Sequence, residues 1–336
     1  MRISTFLPAE WEKQEFVQIV FPHEQTDWSD YLAESIETFV NIAKNISQYQ
    51  KCLVVTKDIE YIKSFFQNKE NLIFTKLNSN DTWSRDFGGI TINKNGILTI
   101  LDFEFNAWGK KFEYALDNQI TKNLQLKGLL DKYKYESISF VLEGGAIESN
   151  GEGVILTTSK CLLEKNRNPF LSQNDIEQKL IKFFGAKKVL WLNSGCLEGD
   201  DTDSHIDTLA RFISSDTIIY QSCDDISDTH FLELQQMEKE LSKFTQLNGQ
   251  PFKLVALPWI KAKYYEGERL PATYANFLII NDAVLVPTYN DKNDSQAINI
   301  LKKQFPKREI IGIDCSTLIK QHGSLHCVTM QYPSVS

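Results

Sequence analysis

"ITINKNGILTI" (Ile90–Ile100) is two β-rich runs joined at Asn95-Gly96, a dipeptide that accepts the positive φ angles of a tight hairpin. The same shape returns along the chain. "GAIESNGEGVIL" (Gly145–Leu156) turns at Asn150-Gly151, "LARFISSDTIIYQ" (Leu209–Gln221) around Ser214–Asp216, and "FLIINDAVLV" (Phe277–Val286) at Asn281-Asp282. Each hairpin is followed by a less regular or helical stretch and another short strand, such as "KVLWLN", "FKLVALPW" or "EIIGID". The sequence therefore predicts an α/β protein built on an internal repeat of roughly 60 to 70 residues, a period that suggests a propeller or array. No Pro/Gly/Ser-rich linker interrupts the repeat, so residues 1–336 read as a single domain.

Amphipathic helices fill the intervals. Residues 175–184 place Ile176, Leu180, Phe183 and Phe184 on one stripe, with Asn174 as the expected N-cap and Gly185 as the C′ residue. Two more helices are predicted over 229–244 and 295–305.

The repeats bring their polar residues to equivalent places. Ahead of each hairpin's first strand lie Trp83-Ser84-Arg85-Asp86, Glu143-Gly144-Gly145, His205-Ile206-Asp207 and Tyr274-Ala275-Asn276, and His326-Cys327 leads into a last strand in the same way. Around a common axis these positions converge. Read as extended chain, His205 and Asp207 leave one face, and Arg85 and Asp86 leave opposite faces. The imidazole can move protons near neutral pH, and the carboxylates can hold a cation. Cys327 is the cysteine whose setting suits a nucleophile, although a buried apolar role is the commoner one for an arbitrary cysteine.

Composition narrows the classes. The net charge of -8 argues against a nucleic-acid or anionic-membrane surface and is compatible with a small cationic ligand. The six cysteines occur singly, without CxxC, as expected of thiols in a reducing compartment. The segment "MRISTFLPAEWEKQEF" has neither the apolar core of a signal peptide nor the length of a membrane span, so a cytoplasmic location is expected.

Taken together, "NDTWSRDFGG" (Asn80–Gly89), "LEGGAIESNGEGVILTT" (Leu142–Thr158), "TDSHIDTLARF" (Thr202–Phe212), "YANFLIINDAVLVPTYND" (Tyr274–Asp291) and "SLHCVTMQYP" (Ser324–Pro333) resemble the agmatine deiminase family. The opening "LPAEWEKQEFVQIVFPH" (Leu7–His23) is similar to that family's start. The resemblance implies a pentein fold, a five-bladed α/β propeller of ββαβ units. It further implies Cys327 as nucleophile, His205 as acid/base, Asp86 and Asp207 as guanidinium clamps, Glu143 as the acid that orients the imidazole, and Trp83 in the substrate channel. The implied reaction is hydrolysis of agmatine to N-carbamoylputrescine and ammonia through an S-amidino-cysteine, within polyamine (putrescine) biosynthesis. It requires no metal and no organic cofactor.

A cationic tail needs an acid of its own. Among Asp81, Asp200, Asp201 and Asp203, Asp201 is favoured for its closeness to the histidine segment, and Arg85 and Arg211 read as structural. The expected partner is a small cationic guanidino compound, and a chain of this size is compatible with a homo-oligomer. Ser204, His322 and Met330 depart from the family pattern at the pocket rim without removing a reacting group. Three alternatives stand: a deiminase of peptidyl or free arginine, a metal-dependent hydrolase with His205, Asp207, Asp86 and Cys327 as ligands, and a non-catalytic propeller that binds polyamines or proteins.

Overall fold

The computed structural model describes residues 5–334. Five of its sheets repeat one scheme, an antiparallel pair whose second strand continues in parallel with a third. Ile90–Lys94, Ile97–Glu104 and Lys134–Val141 form the first, with Thr5–Phe6 added at its edge. Ile147–Ser149, Val154–Thr158 and Lys188–Leu192 form the second, and Ala210–Ser214, Thr217–Gln221 and Lys253–Leu257 the third. The fourth joins Leu278–Ile280, Ala283–Thr288 and Glu309–Asp314. In the fifth, Thr329–Pro333 pairs antiparallel with Gln14–Val20, which runs parallel to Lys51–Thr56 and through it to Leu72–Lys76. A separate hairpin, Lys263–Tyr265 with Glu268–Leu270, stands outside this scheme.

The middle strands explain the unbroken apolar runs in the sequence. Every residue of Val154–Thr158 and of Thr217–Gln221 is buried, as both faces of such a strand are covered. The hairpin turns take the conformations their sequences favour: Asn95 and Gly96 have φ of 57° and 82°, and Asp282 has 59°.

Helices cover the sheets. Gln173–Phe184 begins two residues earlier than its pattern predicts. Ser172, not Asn174, is the cap, because Ser172 and Asp175 satisfy each other's backbone N–H groups in a capping box. It ends as predicted on Gly185 in the left-handed region, where an added Cβ would lie 1.8 Å from the Thr5 carbonyl oxygen. The other two predicted helices form over Phe231–Leu241 and Asp294–Gln304. The longest, Leu32–Ser47, was not anticipated, although Ile36, Phe39, Val40, Ala43 and Ile46 mark its buried face at helical spacing. Among the described residues no helix is long and apolar enough to cross a membrane.

The five polar segments are turns, not strands. Asp86 sits in the single helical turn Ser84–Phe87, and Gly144–Ala146 and Ile206–Thr208 are 3-10 turns. The alternation of faces expected for His205 and Asp207 therefore does not apply. Four of the turns immediately precede a hairpin and the fifth precedes the last strand, and a turn redirects the chain there while leaving its side chains at the end of the sheet.

At the centre of the sheets lies fully buried Arg211. Its Nε donates to Glu148, its NH2 to Glu10 at 2.7 Å, and its NH1 to the Phe277 carbonyl at 2.7 Å. It thereby ties the third hairpin to the second, to the fourth and to the segment before the fifth sheet. Replacing Arg211 with Met should cost about 3–5 kcal/mol in urea denaturation, since two buried carboxylates lose their cation. A loss below about 1 kcal/mol would show that Arg211 only fills space.

Candidate active site

Cys327 lies two residues before the last strand, nearly buried at 4% exposure. Its thiol donates to Asn276 Oδ1 at 3.4 Å, an oxygen that also accepts from the His326 amide at 2.9 Å. Its carbonyl accepts from the Arg85 amide at 3.1 Å, which fixes the 84–87 turn against Cys327. Burial first, then the charges of Asp207 and Asp86, push the thiol well above its ordinary range.

The other candidates converge on Gly145. A Cβ there would lie 2.6 Å from His205 Nδ1, 2.8 Å from Asp86 Oδ1 and 3.2 Å from Asp207 Oδ2, so only glycine lets three turns meet. Asp86 Oδ1 accepts from the Gly145 amide at 3.2 Å and stands 3.6 Å from His205 Nδ1, while its Oδ2 accepts from the Trp108 indole at 3.0 Å. Burial raises the Asp86 pKa to about 6, Asp207 and Glu143 adding to the effect and His205 opposing it. Asp207 Oδ2 is bonded to His326 Nδ1 at 2.7 Å, and Oδ1 has no partner. Burial disfavours its charge, but the bond and charge of His326, helped by His205 and Arg211, outweigh it and lower the pKa.

Both ring nitrogens of buried His205 lack a hydrogen-bond partner. Burial opposes protonation there, yet Asp86, Cys161 and Glu143 prevail and raise the pKa to about 10. Glu143 does stand beside the imidazole, but its hydrogen bonds go elsewhere. Both of its oxygens accept from Arg167 Nε, at 2.9 and 3.1 Å, and Arg167 also donates to Asp203 at 2.7 Å. The expected orienting bond from Glu143 to His205 is therefore replaced by a buried ion pair that places a carboxylate near the ring.

Above Cys327 opens a cavity of about 170 Å³. Asp27, Asp81, Asp86 and Asp201 line it, with Trp83, Trp108 and Phe112 as aromatic walls and His322 at its rim. Among the described residues, no lysine or arginine lines it. Asp81 accepts from the indoles of Trp28 and Trp83, both at 2.8 Å, and burial raises its pKa to about 6. Asp201 is half-exposed, its Oδ2 4.0 Å from His322 Nδ1. Gly323 is required at the rim, because a Cβ would lie 2.2 Å from the Trp83 ring.

The structure thus brings together Cys327, His205, Asp86, Asp207 and Glu143, with Trp83 and Asp201 along the cavity. Sequence reasoning missed Glu10, Trp108, Arg167 and the part played by Asn276. Trp108 belongs to an unusual run: Ala107, Trp108, Gly109 and Lys110 have φ of 50°, 53°, 90° and 68°. Asn106 holds this left-handed turn through its side-chain oxygen, 2.9 Å from the Gly109 amide, and the turn aims the indole at Asp86. Three non-glycine residues there are strained by on the order of 1–3 kcal/mol each, and nothing in Ala-Trp-Gly-Lys announces it.

Among the described residues two groups of donors have the spacing to take a metal, Glu143-Cys161-His205 and Glu10-Glu148-His326. Neither is the set expected for a metal hydrolase. In each, a guanidinium already meets the carboxylates, Arg167 in the first and Arg211 in the second.

At 12% and 11% identity, a dimethylarginine dimethylaminohydrolase (TM-score 0.54, 95% of this chain and 100% of that one) and an amidinotransferase from Microseira wollei (TM-score 0.53, 98% of both) share the mixed α/β fold. The model of the Porphyromonas-type peptidyl-arginine deiminase family matches residues 6–333, and the chain belongs to that family. The agmatine deiminase of C. jejuni, a cysteine-to-serine variant with substrate bound, is 44% identical over 98% of this chain and 96% of that one, with a TM-score of 0.93. A Porphyromonas gingivalis structure described as a candidate arginine deiminase is 48% identical over 98% and 99%, with a TM-score of 0.95. Agmatine deiminase of Medicago truncatula is 30% identical over 98% of this chain and 96% of its own.

Iodoacetamide labelling of Cys327 without ligand should remain slow near neutral pH and still be rising past pH 9.0, the ordinary thiol value. A plateau near neutrality would contradict the placement of the two aspartates beside the sulfur.

Proposed function

We propose that this chain is an agmatine deiminase, a hydrolase of the C–N bond of a linear amidine that releases N-carbamoylputrescine and ammonia. One observation carries the reading. The cavity that ends on Cys327 is lined by four aspartates and, among the described residues, by no lysine or arginine, a surface for a substrate cationic at both ends.

The unsatisfied groups say where the guanidinium goes. Asp207 Oδ1 and both His205 nitrogens are buried without partners, a cost that a bound N–H donor and a departing nitrogen would remove. Asp86 and Asp207 hold the planar cation by charge-assisted hydrogen bonds and turn its central carbon toward the sulfur. The cation also offsets the two carboxylates that raise the thiol, so binding itself favours the thiolate. The thiolate forms a C–S bond, and the imidazolium of His205, protonated near neutral pH, gives its proton to the nitrogen that leaves as ammonia. The S-amidino-cysteine remains. His205, now neutral, takes a proton from water as the oxygen bonds to carbon, and collapse to the ureido carbonyl, with the hydroxyl proton passing to solvent, breaks the C–S bond and restores the thiolate. Asp81 and Asp201 receive the tail amine. Trp83 and Trp108 flank the methylene chain.

Peptidyl- or free-arginine deimination would share this chemistry, and the family's description and the P. gingivalis relative favour it. The aspartate lining favours agmatine, because an arginine carboxylate would find no cation there. We read the five repeated sheets as blades around one axis, forming a five-bladed propeller and a single catalytic domain. The five pre-hairpin turns that meet at the nucleophile support that reading. Six free cysteines support a cytoplasmic setting, and the product supports a place in putrescine synthesis.

Ammonia release from agmatine, arginine and a blocked arginine peptide tests the proposal, with Cys327→Ala as the inactive control. Agmatine should be preferred by roughly 100-fold in kcat/KM, about what one desolvated charge mismatch imposes; a preference for arginine overturns it. Asp201→Asn should raise KM for agmatine by about 5- to 30-fold with little change in kcat, the pattern of a lost tail contact.

A further inference from the structure

His326 immediately precedes the nucleophile, yet its side chain turns away from the cavity. It is buried, with Nδ1 2.7 Å from Asp207 Oδ2 and Nε2 2.7 Å from Glu10 Oε2. Arg211 NH2 lies 3.0 Å from Nε2 and donates to the same Glu10 oxygen. Arg85 Nε approaches the His326 carbonyl at 3.4 Å, and Glu148 stands behind Arg211. Burial, Arg211 and Arg85 oppose charge on the ring, whereas Glu10 and Asp207 favour it. One feature is common to the imidazolium and to the neutral tautomer that accepts from Arg211 at Nε2: in both, Nδ1–H donates to Asp207.

Resting on the deiminase reading, we propose that His326 is a positioning residue that clamps Asp207 from behind, occupying Oδ2 so that Oδ1 is the one oxygen offered to the guanidinium. A free carboxylate can rotate and present either oxygen. Here rotation would break a 2.7 Å buried bond whose donor ring is itself held at Nε2, by Glu10 when the ring is an imidazolium and by Arg211 when it is neutral. Asn276 adds to the restraint, its Nδ2 3.3 Å from the Asp207 carbonyl and its Oδ1 on the Cys327 thiol. The acid and the nucleophile are thus aimed from one scaffold. Errors of an ångström at such a site cost on the order of 100-fold.

The test is a double-mutant cycle of His326→Ala with Asp207→Asn, measured as kcat and KM on both agmatine and arginine. His326→Ala should lower kcat/KM by about 100-fold, mostly in kcat, and should add almost nothing to Asp207→Asn. His326→Asn, whose amide can occupy the Nδ1 position, should recover activity to within about 10-fold of the native chain. Additive losses, or His326→Asn no better than His326→Ala while thermal unfolding shows both folded, would overturn the clamp. Coupling seen on arginine alone would sustain the clamp and refute the agmatine reading, while a native chain inert on both substrates would take both down.

Discussion

A guanidinium removed from water must find counter-charge and partners for its N–H groups, and Arg211 finds them in three other segments of the chain. Glu10 and Glu148 supply charge, the carbonyls of Ala275 and Phe277 accept, and the Phe277 ring lies 4.8 Å from the guanidinium carbon. Glu10 is held below the usual carboxylate range despite its burial, because Arg211, His326 and Arg85 surround it. Groups this interdependent leave no member free to move. The turns that carry Cys327, Asp86 and Asp207 are fastened to this centre through Arg85 and His326, which fixes where their side chains meet.

The same centre separates two environments. A small cavity of about 50 Å³ is lined by Arg85, His326, Glu10 and Glu148, and the substrate cavity by Asp86 and Cys327, with no residue common to both. Chain neighbours thus face opposite ways, Arg85 against Asp86 and His326 against Cys327. The arginines remain with the paired acids behind, and the unpaired acidity faces the ligand. A cation entering in front is therefore not competing with a resident guanidinium.

Much of this was legible. Asn95-Gly96 and Asn281-Asp282 mark hairpins because few residues accept their backbone angles, and four of the five turns could be placed because each directly precedes a hairpin, the fifth because it leads into the last strand in the same way. Seven candidate residues were picked out this way and by family resemblance, and the fold brings them into one region. Reading 83–86 and 205–207 as strands failed because a single helical turn has no periodicity to show. The bond of Glu143 to Arg167 was hidden because the pair is set by packing across 24 positions, not by local spacing. Glu10 was hidden among apolar neighbours, where an acid looks like surface. The left-handed turn at 107–110 was unreadable, since Ala, Trp and Lys ordinarily avoid that region.

Pairing of Thr329–Pro333 with Gln14–Val20 has a kinetic consequence. Thr329 lies opposite Ile19, partners drawn from remote parts of the chain. Contacts of such high sequence separation incur the largest loop-closure entropy and tend to form late in folding. The sulfur two residues upstream of that strand therefore acquires its surroundings near the end of the process. A half-folded molecule would carry an ordinary exposed thiol, open to oxidants and unable to distinguish one amidine from another, and only the final zippering converts it into a selective reagent.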